Sequence, residues 1–344
     1  MSRFNKFILI ILVGINFACA TKEERELSKN KEQERVSELE EIKKQKQDEI
    51  KNLSKDVEDL RRIKDSISAE LTSTEAKNII SRIVSKSELD HVVLAAKDLP
   101  GLEETFEKLG FHIKKGHRHA NGIVNSFIKF KSGKAIELLT VENPGDETAG
   151  IYNEFLGKNE GGAFYALKTD SIEVLEKNLN ILGYKTELEN NKSFSTLIFE
   201  KSNLTDNFFF IEYRNNIEDP VGLTEHINLS FNLISVWVYC DTPAVMENWL
   251  SKFGIDPAGS IFNPVLNIKG KSFIINRSNI RIFEGGNGIF GLTIECMDIF
   301  KTQSYFEKIF GRQIKVYSDE EGKSIYIKPD ERLRIWIQFV QRGE

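Results

Sequence analysis

The chain has 344 residues, of which 47 are basic and 52 acidic, giving a net charge of −5. A hydrophobic content of 40% with 24 Phe is enough for a sizeable core and excludes global disorder. The two charge signs are mixed along the chain and no zinc-finger or helicase-type motif occurs, which excludes a nucleic-acid partner. Cys19, Cys240 and Cys296 form no CxxC pair, so a cysteine zinc site is excluded as well. Cys240 and Cys296 end apolar strand-like runs. They read either as buried thiols or, outside the cytoplasm, as a disulfide.

The chain opens with Arg3 and Lys6 ahead of an apolar stretch, Phe7 to Ala18, broken only by Asn16. Such a stretch spans roughly 18 Å as a helix, short of the ~30 Å hydrocarbon core, so it reads as an export signal and not a membrane span. The end, Asn16-Phe17-Ala18-Cys19, resembles a bacterial lipoprotein signal, although Asn16 replaces the usual aliphatic residue. That resemblance implies a signal peptide over 1–19, lipidation of Cys19 and a cell-envelope address on a membrane surface. Ala20 after the cysteine points, by analogy, to the outer membrane. The alternative is ordinary secretion with cleavage near Ala18 or Ala20.

Residues 20–88 change character: Gly, Pro and aromatic residues are missing from Thr21 to Lys86, and apolar residues fall on a seven-residue grid. Val36, Ile50, Val57 and Leu71 occupy one seam position, and Leu39, Leu53, Leu60 and Ile67 the other. Lys43, Lys46 and Lys64 interrupt the grid, leaving eight apolar matches out of eleven. The pattern predicts a charged coiled-coil helix, a stalk that either self-associates into a homo-oligomer or folds back on the globular part. As a straight helix it would span roughly 70–90 Å between lipid anchor and domain.

From Leu89 onward one order of elements, strand, helix and further strands, recurs four times. The first unit starts at Leu89–Leu99, runs through a helix to Gly110, and continues with strands at 111–114, 124–131 and 135–140. The second runs from Gly162–Asp170 through the helix 172–182 to strands at 196–200 and 208–213. The third begins at Leu233–Asp241 and the fourth at Phe290–Asp298, each followed by an apolar helix, a closing Gly and more strands. A repeated unit of about 50 residues builds a core that no single unit could bury alone.

The residues Asp90-His91-Val92-Val93, Leu109-Gly110-Phe111, Gly116-His117-Arg118-His119 with Asn125, and Ile136-Glu137-Leu138 resemble the first module of the vicinal oxygen chelate superfamily, in its glyoxalase-like branch. Phe209-Phe210-Ile211-Glu212-Tyr213 and His226-Ile227-Asn228 resemble the second module and its link onward. The resemblance covers roughly residues 89–285, and 286–344 by unit order alone. It implies an α+β fold of four βαβββ modules paired into curved mixed sheets. The first pair would span 89–225 and a second, degenerate pair 226–344.

In that superfamily, first- and last-strand residues of paired modules hold a divalent metal inside a cup. Carried over, His91, Glu137 and Glu212 would be the ligands, while the fourth position, near Ala163, has no ligand side chain. One His with two carboxylates suits Fe, Mn, Ni or Zn, with Glu137 and Glu212 as the catalytic carboxylates. His117, Arg118, His119, Asn125 and His226 would bind substrate, although His117 to His119 also read as an exposed basic turn. The second pair places Ile234, Glu284, Gly291 and Gln338 at the equivalent positions, which assembles no metal set. The expected function is an envelope-anchored lipoprotein whose cup binds a small oxygenated molecule, with or without a divalent metal. The alternatives are a metal-dependent lyase, isomerase or dioxygenase-type enzyme, and a non-catalytic scaffold acting through its coiled coil.

Overall fold

A computed structural model describes residues 22–200, 207–215, 219–319 and 321–343. Cys19 and the export segment lie outside the described residues. The first element is a single helix, α1 (Lys22–Val84). Two compact units divide within it, between Leu71 and Thr72. On the second unit's side of that division Ala76, Ile80 and Val84 are fully buried, and Ile80 and Val84 belong to the main hydrophobic core. The globular unit therefore begins at Thr72, some four helical turns before the boundary read from the strand pattern at Leu89. The reason is visible in the spacing. The seven-residue grid continued past Leu71 would fall on Thr74, Asn78, Ser81 and Ser85, all polar, whereas Ala76, Ile80 and Val84 form a different stripe at four-residue intervals.

Four βαβββ modules follow. The first comprises β1 (Glu88–Ala95), α2 (Leu99–Lys108), β2 (Lys114–Arg118), β3 (Ile123–Lys129) and β4 (Ala135–Val141). After an inserted helix, α3 (Glu147–Lys158), the second has β5 (Gly161–Lys168), α4 (Ile172–Ile181), β6 (Thr186–Asn190), β7 (Phe194–Phe199) and β8 (Phe208–Tyr213). A short α5 (Val221–Thr224) leads to the third: β9 (Ser230–Cys240), α6 (Pro243–Lys252), β10 (Pro257–Asn263), β11 (Ile268–Ile275) and β12 (Ser278–Glu284). The fourth has β13 (Gly288–Cys296), α7 (Ile299–Phe310), β14 (Tyr317–Asp319), β15 (Gly322–Ile327) and β16 (Trp336–Arg342). The elements α3, β6 and β10 were not legible in the sequence pattern.

Within each module the first strand pairs in parallel with the last, and the two first strands of a pair run antiparallel: β1 against β5, and β9 against β13. The sheets of the two pairs join by strand pairing at one residue pair, Ile289 of β13 against Gly162 of β5. A Cβ on Gly162 would stand 2.6 Å from the Ile289 side chain, so glycine is required at that junction. Strand alternation divides β1 between two apolar clusters. Val92 and Leu94 enter the main core, while Val93 and Ala95 face α3 together with Leu139 and Ala163. Aromatic contacts tie the pairs together, with Phe111 stacked on Phe339 and Tyr184 against Phe253 at 5.5 Å. Cys240 and Cys296 are both free and buried, and burial pushes the Cys296 thiol up to about 11.

If the last turns of α1 belong to the domain, Ile80→Ala should lower its unfolding free energy by about 2–4 kcal/mol. Lys77→Ala, exposed on the same turns, should change it by less than about 0.5 kcal/mol. Urea unfolding of the two variants checks this; equal, small effects would remove α1 from the core.

Candidate functional site

The concave side of the first module pair encloses a cavity of about 1110 Å³. One end is closed by α3, whose Ala149, Tyr152 and Leu156 pack on Val93, Ala95 and Leu139. Asp146 holds the start of α3, accepting hydrogen bonds from Ala149 N at 2.8 Å and from Asn121 Nδ2 at 2.9 Å. The remaining cavity lies over His91, between aromatic walls that include Phe127, Phe164, Phe209 and Tyr213.

Asp90 and His91 are neighbours in sequence, so regular alternation would send them to opposite faces of β1. Both nevertheless line the cavity. The pairing of β1 with β5 skips Asp90: Leu89 opposes Leu167 and His91 opposes Ala166. This bulge re-aims Asp90 into the cup beside His91. His91 Nδ1 donates to Asp90 Oδ2 at 2.6 Å, and Tyr213 OH donates to the same oxygen at 2.8 Å. His91 Nε2 lies 3.6 Å from Glu137 Oε2, and Glu137 Oε1 accepts from Asn125 Nδ2 at 2.7 Å. Asn125 in turn accepts from the His117 backbone N–H. A single chain of polar contacts thus runs from Tyr213 through Asp90, His91 and Glu137 to Asn125.

The electrostatics follow from these contacts. Burial works against the His91 imidazolium, but the hydrogen bond and charge of Asp90, helped by Glu137, outweigh it and raise its pKa above the ordinary value. Burial would also raise the Asp90 carboxyl. Hydrogen bonds from His91 and Tyr213, with the charges of His91 and Lys129, hold it below the usual carboxylate range. Burial, then the Asp90 charge, raises the Tyr213 phenol, which stays protonated as a donor.

Of the residues singled out from the sequence, His91, Glu137, His117, His119 and Asn125 line the cavity. Three do not. Glu212 lies on the opposite face of β8, where its carboxylate accepts from Ile172 N at 2.8 Å. It thereby caps α4, whose own N-cap residue Ser171 makes no side-chain cap bond. Arg118 is exposed and pairs with Glu142. His226 is buried behind the cup, accepting the His112 N–H at Nδ1 and donating from Nε2 to Lys129 O at 3.0 Å. The residues that sequence reasoning missed are Asp90, Tyr213 and Phe209. Phe209 projects into the cup from β8 with its ring 5.7 Å from that of His91.

The metal set is corrected accordingly. With Glu212 on the far face, Phe209 on the near one and Ala163 on β5, His91 and Glu137 are the two donors left at the expected ligand positions. Among the described residues no three His, Cys, Asp or Glu side chains gather as a metal-binding group. Two donors at those positions fall short of the three or four that protein sites for Fe, Mn, Ni or Zn supply, and the Asp90 carboxylate beside them is taken up by His91 Nδ1 and Tyr213 OH, so the residues present do not fit a resident divalent metal.

Residues 89–254 match the family described as "Glyoxalase-like domain". This part of the chain is similar to a glyoxalase-like domain. Solved structures extend the likeness to the whole vicinal oxygen chelate fold. 4-Hydroxymandelate synthase from Streptomyces coelicolor superposes with a TM-score of 0.54 at 10% identity, covering 75% of this chain and 93% of the other. Homoprotocatechuate 2,3-dioxygenase from B. fuscum gives 0.53 at 12% identity, covering 75% and 73%. A hypothetical protein from Staphylococcus aureus gives 0.51 at 15% identity, covering 74% and 99%. No curated protein matches the sequence.

The first module pair leads into a second whose interior is filled by buried side chains. Arg281, 5% exposed, donates to Gln338 Oε1 at 2.9 Å and pairs with Glu321. Gln338 also accepts from Thr293, and Thr293 accepts from Trp237 Nε1 at 2.8 Å. Gly291 leaves room for the Trp237 ring, which would lie 2.2 Å from a Cβ there. Of the four positions matched from the sequence, Gln338 takes part in this network, together with Arg281, Thr293 and Trp237 from neighbouring positions.

The role of His226 has a pH signature. Burial lowers its pKa to about 4, against the hydrogen bond to Lys129 O and with a smaller contribution from the His112 charge. The folded value lies below the unfolded one, so its contribution is complete above pH 6.5 and is lost as pH falls toward 4. Between pH 7 and pH 5 the chain should lose about 2 kcal/mol that His226→Gln does not lose. Urea unfolding at the two pH values measures it; parallel losses in both proteins would place a charged imidazole at this position.

Proposed function

We propose that the first cup binds a small oxygenated molecule with an apolar body, without a resident metal, on a chain anchored to the cell envelope through Cys19. The observation that carries the binding reading is the pairing of His91 with Glu137 at the base of an aromatic-walled cavity. Asp90 fixes the imidazole with Nε2 directed away from it, so a protonated His91 donates to a carbonyl or carboxylate oxygen of the ligand. Glu137, steadied by Asn125, accepts from a ligand hydroxyl. Phe127, Phe209 and Tyr213 supply the apolar contact that drives entry, while the few polar groups fix orientation. The same arrangement lets Glu137 or His91 hold a proton for a bound hydroxy-carbonyl compound, and Glu137 keeps the acid–base role expected for it.

Homoprotocatechuate and 4-hydroxymandelate, named in the structural neighbours, are suitable first probes because each carries oxygens beside an aromatic body. Calorimetric titration of the purified chain should detect binding of at least one such hydroxylated aromatic acid. His91→Ala and Glu137→Ala should each weaken it about tenfold or more, the loss of a charged hydrogen bond. Binding unchanged in both variants would sink this reading of the cup.

The anchoring reading is supported by the charged start, the short apolar stretch and the Ala18-Cys19 junction. Cys19→Ala should move the protein from the membrane fraction to the soluble periplasmic or secreted fraction and abolish labelling with a palmitate analogue. Retention of both in the variant would contradict it.

A further inference from the structure

Within the 22–71 portion of α1 a row of large apolar side chains stands in water. Val36, Leu39, Ile50, Leu53, Val57, Leu60, Ile67 and Leu71 are each about half exposed or more. So long an apolar row on a charged helix signals a surface made to be covered. Three independent features of its composition say by what.

The first is the residue type in each layer. From Val36 to Leu60 the first seam position carries β-branched Val36, Ile50 and Val57 and the other carries Leu39, Leu53 and Leu60, an order that Ile67 and Leu71 reverse only at the end of the seam. That division favours two parallel strands over three or four. The second is the pair of lysines, Lys43 and Lys64, at the first seam position. In aligned chains each lysine shares its layer with its own counterpart, and both ammonium groups leave along their stems to water. A slip of one heptad would set Lys43 against Ile50 and Lys64 against Val57, which polar seam residues are known to prevent.

The third is charge. Arg35, Ile42, Glu49, Asp56 and Ile63 flank the seam on one side; Glu40, Gln47, Ser54, Arg61 and Ser68 flank it on the other. In a parallel, aligned pair each residue of the first set faces the partner residue five positions further on. Arg35 then faces the partner's Glu40, and Asp56 faces the partner's Arg61, while no flanking pair in this stretch sets like charges together. An antiparallel pair of the same overlap would bring Glu49 beside the partner's Asp56, a like-charge contact made twice by symmetry.

We propose that the Val36–Leu71 stretch of α1 pairs with the same stretch of a second copy of this chain as a parallel, in-register, two-stranded coiled coil. The seam ends at Leu71, where the grid gives way to polar residues.

The full chain carries the test, as single variants Leu39→Cys and Ile67→Cys at opposite ends of the seam, with Lys55→Cys as a control on the outer face. The unsubstituted chain sets the background from its own cysteines. On mild oxidation both seam variants should give a covalent dimer on a non-reducing gel and Lys55→Cys none. Cross-linking of Leu39→Cys with Ile67→Cys in a mixture, but of neither with itself, would mean antiparallel chains and overturn the proposal. No cross-link in either case would mean unpaired helices, and overturn it equally. Light scattering in detergent should give two chains, and a trimer would contradict the proposal. Glu40→Arg should weaken the dimer several-fold and Arg35→Glu with Glu40→Arg should restore it; equal weakening in both would remove the flanking charges from the account.

Discussion

Side chains alternate across a β-strand, and one residue more or less in the pairing decides which of them reaches a concave face. In β1 the unpaired Asp90 shifts the register between Leu89 and His91. Without that bulge Asp90 would point toward the helices, into a core of Val92 and Leu94, where an unpaired carboxylate is costly. With it, a carboxylate and an imidazole stand side by side at the base of the cup. Tyr213 reaches them from β8, and Glu137 reaches them from β4. The buried charge of Asp90 is thereby satisfied by two donors, and His91 is held in one orientation with its second nitrogen facing the cavity.

The same fold carries two different interiors. In the first pair, aromatic walls and a short polar chain leave space for a ligand. In the second, Arg281, Gln338, Thr293 and Trp237 meet across the equivalent space and close it. The buried Arg281 guanidinium, held by Gln338 and Glu321, ties β12 to β16 and to the turn before β15. This division of labour lets one half of the sheet serve as support, while the other keeps a bulged strand and an open cavity.

The modular architecture was legible because each module repeats a short grammar: a strand, an amphipathic helix, a closing glycine and three strands. His91 and Glu137, reached through the family resemblance, both line the cavity. Glu212 was not, because Phe208-Phe209-Phe210-Ile211 is apolar on both faces and gives no parity to read. The structure resolves the ambiguity by placing Phe208 and Phe210 in the core, which sends Glu212 to the start of α4 and Tyr213 to the cup. Asp90 escaped for the opposite reason, since strict alternation assigns it to the wrong face. The insertion α3 lacked a long apolar stripe, burying only Ala149, Tyr152 and Leu156. The end of the stalk was placed further along because the helix runs unbroken to Val84, with no Gly or Pro to mark where the buried stripe of Ala76, Ile80 and Val84 begins.

Strand parity, and not the general shape of the cup, leaves His91 and Glu137 without a third donor on β8. Replacing Phe209, which stands on the cup face of β8 against His91, with Glu measures that claim directly by elemental analysis of the purified protein. Phe209→Glu should acquire about one equivalent of a divalent metal that is lost again with His91→Ala, while the unsubstituted chain holds none. One equivalent of metal in the unsubstituted chain, removed by Glu212→Gln, would contradict the account.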